Sequence, residues 1–210
     1  MIVDNFAEIR SLMKFETPND FYFVQIMQRK KDGNQEVIDS ARNQYRVIKS
    51  YYIRSFADFD RRVPKIKELC IDNNARCYIN INRRDSVDVC WEAINTYMDL
   101  IRNNRTYQGY TVFDHACGVA KSKDKMYMVD VDSKDENYLN KVKEIINQCR
   151  GNNPDHIIKV IPSKDGYHLI TEKFDSEQFK QLCLIEQIDY PDVHKQGNVL
   201  MYFNCDLFSN

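Results

Sequence analysis

Two apolar runs separated by a helical segment, between residues 125 and 171, constrain the fold more than any other feature of the chain. The first run reads M-Y-M-V-D-V-D, and the second reads I-I-K-V-I-P-S-K-D-G-Y-H-L-I-T. Within the second run, the pair Asp165-Gly166 is typical of a tight turn between two strands. The order predicts a strand, a helix and then a hairpin, so three strands of this region should share one sheet.

Apolar periodicity along the rest of the chain predicts further helices and strands, and therefore an α+β fold. Ser55 should cap the helix that follows it, and Asp85 or Ser86 should cap the next one. The second half reads β-α-β-β-α-β, the order of a ferredoxin-like or RNA-recognition-type lobe. The predicted helices are about 4–14, 56–72, 86–103, 136–149 and 175–187, and the predicted strands are 21–27, 46–53, 76–82, 126–132, 156–161, 167–171 and 198–203.

Residues 104–124 are polar, contain glycine and lack periodicity. They are predicted to form an irregular junction within a single domain of residues 1–210, between a lobe of about 1–110 and a lobe of about 120–210. The helix before this junction carries an apolar stripe at helical spacing, which is predicted to pack into the core. The stripe consists of Val87, Trp91, Ile94, Met98 and Ile101.

Composition narrows the partners that the protein can have. The net charge is -1 with 29% charged residues, which excludes a chain that is basic overall, although a local basic groove could still bind nucleic acid. Seven cysteines occur without a C-x-x-C pair, which favours reduced core thiols in a cytosolic protein over a zinc site. We find no signal-peptide pattern and no apolar run of eighteen residues, so we expect a cytoplasmic protein without a membrane partner.

Asp130 and Asp132 lie two residues apart at the end of the first apolar run. On a strand, such residues point to the same face, about 6.5–7 Å apart along the chain, while Val129 and Val131 point to the packed face. Mg²⁺ and Mn²⁺ prefer oxygen ligands and leave positions open for phosphate oxygens. The pair therefore predicts a divalent metal site, although D-x-D is also a common surface pair that caps the next helix.

Ser163, Lys164 and His168 flank the turn of the predicted hairpin. The serine and the lysine can donate hydrogen bonds to phosphate oxygens, and the histidine ring N–H can do the same from the second strand. The alternative is an ordinary hairpin with a surface lysine and a half-buried histidine. Because the hairpin and the D-x-D strand belong to one β-α-β-β unit, we expect them to share a face.

Together, the D-x-D strand and the hairpin make the chain resemble the archaeo-eukaryotic primase superfamily. That family carries a D-x-D pair, then a Ser-x-His-type motif and then a third carboxylate; here Ser163 stands five residues before His168, a looser spacing. The resemblance covers the second half of the chain well and the first half only by its αβ pattern. It implies a two-lobed, primase-polymerase-like core with an N-terminal αβ lobe and a C-terminal lobe like an RNA-recognition motif.

The resemblance also implies roles for individual residues. Asp130 and Asp132 would be catalytic and would hold Mg²⁺ or Mn²⁺ as the cofactor. His168 would contact the incoming triphosphate, and Ser163 and Lys164 would help to bind the nucleotide.

The third catalytic and metal-binding acid is less closely defined by the sequence. Asp189, Asp192 and Asp206 are all available. We favour Asp192 because a basic residue, Lys195, follows it shortly, as in the family, and Lys195 would bind nucleotide. Many family members show arginine at that place. The alternative is a loop with a solvated charge cluster over residues 189–195.

Basic residues at strand ends could line a groove for a nucleic-acid template through phosphate contacts. Arg76 begins one predicted strand, Arg83 and Arg84 follow it, and residues 29–31 (Arg-Lys-Lys) close the first strand. A charge cluster at a strand end is also typical of an ordinary solvated turn.

The resemblance implies a template-dependent nucleotidyltransferase, a primase or primase-polymerase that adds nucleoside triphosphates in DNA replication of a phage or mobile element. Its partners would be a single-stranded DNA template, nucleoside triphosphates and a replicative helicase. One alternative is a non-catalytic protein that binds nucleotides or RNA on the same lobe, where exposed aromatics are the rule. Another is a metal-dependent nuclease that uses the same acids.

Overall fold

A computed structural model describes residues 2–33, 44–151 and 155–204. In these ranges the chain forms six α-helices and ten strands in two antiparallel sheets, which is an α+β fold. The helices are α1 (Phe6–Leu12), α2 (Phe56–Asp72), α3 (Ser86–Arg102), α4 (Val112–Val119), α5 (Glu136–Gln148) and α6 (Ser176–Ile185). The strands are β1 (Ile2–Asp4), β2 (Asp20–Arg29), β3 (Tyr45–Ile53), β4 (Arg76–Asn80), β5 (Arg84–Asp85), β6 (Tyr127–Val131), β7 (Ile157–Pro162), β8 (Tyr167–Thr171), β9 (Asp192–His194) and β10 (Asn198–Asn204).

The first sheet has the strand order β1-β10-β4-β2-β3, and β5 pairs with the start of β2. Helices α1 and α2 cover one face, where Ile9 and Ile66 pack with Val24 of β2. As predicted, α2 is capped by Ser55, whose hydroxyl accepts a hydrogen bond of 3.1 Å from the backbone N–H of Asp58. Helices α3 and α4 pack on the other face, against the first residues of β2.

Helix α3 begins after Asp85, as predicted, but the prediction that its apolar stripe packs into the core is wrong. The helix buries a different face, formed by Val89, Ala93 and Leu100. The five stripe residues, Val87, Trp91, Ile94, Met98 and Ile101, are 46–63% exposed. Both faces of α3 carry apolar residues, and helical spacing alone does not tell which face the sheet will cover.

The prediction of an irregular segment at 104–124 is also wrong. This segment contains a 3-10 turn over Thr106–Thr111 and helix α4. The spacing of Val112, Ala116 and Cys117 places three small or medium apolar residues on one side of α4, and all three are buried against α3 and β2. Eight residues are too short for a clear periodic signal, which is why the pattern was not apparent.

The second sheet has the strand order β7-β8-β6-β9, and the predicted β-α-β-β-α-β chain order is present. Helices α5 and α6 cover one face, where Val142 and Phe179 pack on Val129 and Leu169. The placement of strand 198–203 was wrong. It corresponds to β10, which lies between β1 and β4 in the first sheet, while the fourth strand of the second sheet is the three-residue β9.

The two sheets are joined by side chains and backbone as well as by β10. Ile161 and Ile170 of the second sheet belong to the same buried cluster as Val199 of β10. The Asn82 side chain both donates to and accepts from the Met126 backbone, at 2.8 Å each. The sheets therefore share one core, which fixes the space between their open faces.

The described ranges can be checked for membrane-spanning helices and for disulfides. None of the helices there is long and apolar enough to cross a membrane. Six cysteines lie in those ranges and all six are free thiols, with Cys90 exposed and the other five buried. Cys205 lies outside the described residues.

Arg83 is buried at the centre of an ion-pair network next to the junction. Its guanidinium contacts the carboxylates of Asp20 at 2.9 Å, Glu16 at 2.9 Å and Asp124 at 3.2 Å. Lys123 also contacts Asp20, at 2.7 Å. Burial raises the pKa of Asp20, but the hydrogen bonds it accepts outweigh burial and hold that pKa well below its usual range. The network ties the start of β2 to the segment that precedes β6.

We expect Arg83→Met to lower the free energy of unfolding by about 3 kcal/mol, because it leaves buried carboxylates without their main partner. Urea denaturation followed by circular dichroism measures this loss. The matched control is Arg61→Met, which removes a surface arginine that is 75% exposed and pairs with Asp58 at 2.6 Å. Its cost should stay within about 0.5 kcal/mol. Equal losses in the two variants would contradict the structural role of Arg83.

Candidate active site

Strand β6 lies at the centre of the candidate site, and its neighbours present polar residues in register with it. Asp130 is directly opposite His168 on β8 and directly opposite Asp192 on β9. Residues directly opposite each other in an antiparallel pair point to the same face. Three residues singled out from the sequence therefore form one row across three strands, on the face away from α5 and α6.

A cleft of about 790 Å³ opens in front of Asp130 and His168, and Asp192 does not line it. The first sheet contributes Gln25, Met27 and Tyr78 to its lining, and α4 contributes Asp114 and His115. Of the residues that the sequence had indicated, Arg76 reaches the cleft from β4 of the first sheet. The others that line the cleft come from the second sheet and its turns, and they are Asp130, Asp132, Ser163, Lys164, His168 and Lys195.

The ring of His168 is held from both sides. The backbone N–H of Leu200, on β10, donates to Nδ1 at 3.3 Å. Because Nδ1 accepts this bond, the ring proton sits on Nε2, which lies 3.4 Å from Oδ1 of Asp130. The side chain is only 6% exposed. The ring is thus oriented so that its N–H points toward the carboxylate pair.

The two carboxylates of the D-x-D pair have opposite pKa shifts. Burial raises the pKa of Asp130, but the hydrogen bond from His168 and the electrostatic interactions with His168, His194 and Lys31 outweigh it, so the net pKa is lowered. The pKa of Asp132 is raised, first by burial and then by the negative charge of Asp130. Asp132 therefore carries an anionic charge that the protein does not fully compensate.

The donor chemistry of this pair fits a hard divalent cation, because both ligands are carboxylates that line an open cleft. Over residues 2–33, 44–151 and 155–204, no group of three or more His, Cys, Asp or Glu side chains is arranged to hold a metal ion. Asp192 is exposed and opposite Asp130 in register, without completing such a group. Mg²⁺ commonly uses one or two carboxylates together with phosphate and water oxygens.

Of the other candidates for the third acid, Asp189 lies before β9, where its backbone carbonyl accepts a hydrogen bond of 2.7 Å from Tyr138. Asp206 lies outside the described residues.

The hairpin packs directly on the strand that bears the acids. The Ser163 hydroxyl accepts a hydrogen bond of 3.0 Å from the backbone N–H of Gly166, which closes the turn. A Cβ atom at Gly166 would lie 2.0 Å from the carbonyl oxygen of Val131 and 2.6 Å from the backbone nitrogen of Ser133. Only glycine permits this approach, so the two sequence motifs form one rigid unit.

Lys164 belongs to a second charged cluster on the cleft wall. Its Nζ lies 3.1 Å from Oδ1 of Asp32, and the same carboxylate accepts a 2.7 Å hydrogen bond from Nε of Arg76. The ring of Phe203 lies under both cations. Burial raises the pKa of Asp32, but Arg76 and Lys164 outweigh it and lower the net value. Two cations thus share one anion, and this cluster keeps an excess of positive charge.

Arg83 and Arg84 do not line the cleft, and both are committed to intramolecular partners. Arg84 is 1% exposed and donates to the carbonyl of Ala120 at 2.6 Å and to Oε1 of Gln196 at 3.3 Å. Burial lowers the pKa of the Arg84 guanidinium. Arg84 therefore ties the end of α4 to the turn between β9 and β10. Lys195 is exposed in that turn and lines the cleft.

Sequence reasoning missed a polar network at the α4 side of the cleft. The carboxylate of Asp114 accepts hydrogen bonds from the hydroxyls of Ser50, at 2.5 Å, and Tyr52. Gln25 in turn donates to Ser50 at 3.3 Å. Burial and the neighbouring carboxylate raise the pKa of Tyr52. These residues come from three separate elements, and no local motif marks them.

Comparisons with protein-family models, with curated proteins and with solved structures found no match to this chain. Any functional conclusion therefore depends on the geometry of the cleft and on the motifs that line it.

We expect Asp132→Asn to stabilise the protein modestly at neutral pH, because the charged carboxylate is opposed by burial and by Asp130. The side chain is exposed, so water screens the effect, and we expect a gain of about 0.5 kcal/mol. Because the pKa of Asp132 is higher in the folded than in the unfolded protein, its charged carboxylate destabilises the fold at pH values above the folded pKa. This destabilisation vanishes below the unfolded pKa of about 3.9.

Thermal unfolding at pH 7 and at pH 3 measures this difference between Asp132→Asn and the unmodified protein. The matched control is Asp99→Asn, which removes a carboxylate of α3 that is 67% exposed and lies outside the cleft, and it should give no gain at pH 7. A stabilisation of the same size at both pH values would contradict the electrostatic origin of the effect.

Proposed function

We propose that this chain is the catalytic core of a primase or primase-polymerase, a template-dependent nucleotidyltransferase that works in DNA replication in the cytoplasm. The observation that carries the proposal is that Asp130 and His168 lie side by side, near Asp132, and face a cleft. The same cleft is lined by Lys164, which belongs to the positively charged cluster around Asp32. A cleft with a carboxylate pair at one place and excess positive charge at another suits a metal-bound triphosphate.

In this proposal, Asp130 and Asp132 hold Mg²⁺ or Mn²⁺, and the metal supplies charge stabilisation for the attacking and leaving oxygens of phosphoryl transfer. The raised pKa of Asp132 supports the assignment, because a cation would relieve the repulsion from Asp130 that contributes to the shift. Asp192 lies in the same row and remains the proposed third acid. The protein's own contribution is to hold these carboxylates on a rigid strand.

The triphosphate is proposed to contact His168, Lys164 and Lys195. The Nε2–H of His168 is a donor aimed at the acids, so a phosphate oxygen bound between them could accept its hydrogen bond. Arg76 is 3% exposed and bonded to Asp32, so it acts by positioning Asp32 and thereby Lys164. Ser163 acts in the same way, by closing the turn that presents Lys164.

The template is proposed to be single-stranded DNA that contacts the cleft through its phosphates. Exposed Lys31 lines the cleft and can make such a contact without reading sequence. A replicative helicase would supply this strand. Arg83 and Arg84 have no part in the proposal, because both are buried against protein groups.

The alternative of a non-catalytic RNA-binding lobe receives less support. Such lobes stack bases on aromatic side chains that stand on the central strands. Here the cleft-facing positions of β6 and β8 carry Met128, Asp130 and His168, and the β6 aromatic Tyr127 is buried in the cluster under α5 and α6. A nuclease would use the carboxylates but would not need Lys164.

We expect the protein to extend or make primers on single-stranded DNA with Mn²⁺ and labelled nucleoside triphosphates, and Asp130→Asn to lower the rate by about a hundredfold or more. Gel electrophoresis of the labelled products measures this. The matched control is Asp99→Asn, which changes an exposed aspartate of α3 and should leave the rate unchanged. Template degradation without synthesis would identify a nuclease and contradict the proposal.

We expect Lys164→Ala and His168→Ala each to weaken binding of a nucleoside triphosphate by roughly ten- to a hundredfold, because a hydrogen bond to a charged phosphate contributes about 1.5–3 kcal/mol. The effect on the monophosphate should be smaller, since the outer phosphates are missing. Isothermal titration calorimetry with metal present measures both affinities.

The control is Lys159→Ala, on β7 of the same hairpin, where Nζ donates to the Ser11 hydroxyl at 2.8 Å and pairs with Glu8. This lysine does not line the cleft, so triphosphate binding should be unchanged. If Lys164→Ala and His168→Ala weakened triphosphate and monophosphate binding equally, the contact with the outer phosphates would be disproved. It would also be disproved if they left both affinities unchanged.

A further inference from the structure

The exposed stripe of α3 has the spacing of a helix that pairs with another helix. Val87, Trp91, Ile94, Met98 and Ile101 follow one another at intervals of four, three, four and three residues. This alternation is the heptad pattern of apolar a and d positions, which form the seam of two packed helices. The stripe extends along about 21 Å of helix at a rise of about 1.5 Å per residue.

The stripe is larger than the isolated apolar residues that an ordinary surface carries. Its members are 46–63% exposed, and Trp91, the chain's single tryptophan, is 62% exposed. Tyr107 and Tyr110, in the 3-10 turn that follows α3, are 71% and 89% exposed. Contiguous exposed apolar surface of this kind marks an interface.

The charges beside the stripe indicate which partner fits it. Asp88 and Arg102 occupy e positions at opposite ends of the seam, with Asn95 midway between them, and the two charged residues are exposed. In an antiparallel pair of identical helices, e positions face e positions. A second copy of the chain would therefore place its Arg102 beside Asp88 and its Asp88 beside Arg102, with the two Asn95 side chains near the two-fold axis.

We propose that the protein forms an antiparallel, two-fold symmetric dimer in which the α3 stripes of two copies pack together. Such an interface is self-complementary and closed, since each copy uses the same surface. It buries the apolar stripe in both copies and pairs the flanking charges twice. The proposal does not depend on the function proposed for the cleft.

Trp91 provides a direct measurement on the unmodified protein. Sedimentation equilibrium should show a monomer–dimer equilibrium with a dissociation constant on the order of micromolar, as for small interfaces. Over the same concentration range, tryptophan emission should shift to shorter wavelength, because Trp91 leaves water on dimerisation. A monomer with unchanged emission up to millimolar concentration would overturn the proposal.

Single substitutions test the surface. Ile94→Asp should weaken the dimer by at least about a thousandfold, since symmetry places the change in both copies. The matched control is Leu184→Asp on α6, which changes another exposed apolar residue, 69% exposed and outside the stripe. Its dimer should be unaffected. Loss of the dimer in the control but not in Ile94→Asp would place the interface elsewhere and overturn the proposal.

Charge reversal tests the antiparallel arrangement. Asp88→Arg alone and Arg102→Asp alone each create two like-charged contacts and should each weaken self-association by roughly five- to thirtyfold at low salt. An equimolar mixture of the two variants should restore dimerisation as a heterodimer. In that heterodimer, position 88 of each chain faces a residue of opposite charge at position 102 of the other chain. If the mixture dimerised no more tightly than either variant alone, the antiparallel dimer would be overturned. A parallel dimer would give this result.

Discussion

The hydrogen bond from the Leu200 backbone to His168 connects the two halves of the molecule at the site. Its donor lies on β10 of the first sheet and its acceptor on β8 of the second. Strand β10 reaches the first sheet only three residues after β9 ends, through a turn where Gly197 has φ of +37°. This short crossing holds the open faces of the sheets close together. The cleft, the tautomer of His168 and the orientation of its N–H all depend on it.

The charges of the cleft follow from how each group is buried. Asp130 is paired with His168, whereas the negative charge of Asp132 is only partly balanced by Lys31 and His168, so the carboxylate pair retains negative charge. Around Asp32, two cations face one buried anion, so that cluster retains positive charge. A protein without a charged ligand would gain stability by removing either imbalance. Because both imbalances occur in one cleft, we favour a phosphate ligand with a bound cation.

The sequence predicted the features of the fold that have local causes. The caps Ser55 and Asp85, the hairpin around Gly166 and the strands flanking it follow from turn chemistry and from apolar spacing, and the structure confirms them. The sequence also predicted that Asp130 and His168 share a face, because one β-α-β-β unit places both strands in one sheet, and the structure pairs them directly. The chemistry expected of that row remains a prediction.

What the sequence did not reveal depends on contacts between distant segments. The sheet that receives β10 is decided by its pairing with β4, more than a hundred residues earlier. The role of Asp32 requires Arg76 and Lys164 from two other elements. Arg83 was predicted to line a template groove, with a solvated turn as the alternative, whereas it is buried against carboxylates from distant segments. The buried face of α3 is decided by the sheet and by α4, since both of its faces are apolar.

Helix α4 separates the two surfaces to which we assign roles. One side of it, with Asp114 and His115, lines the cleft, while Ala116 and Cys117 pack in the cluster that contains the buried face of α3. The stripe of α3 points away from that cluster, so a partner helix on the stripe would leave the cleft open. Anchoring α3 would nevertheless hold α4 in place. Because the carbonyls at the end of α4 bind Arg84, and Arg84 binds Gln196, the turn that bears Lys195 would be held as well.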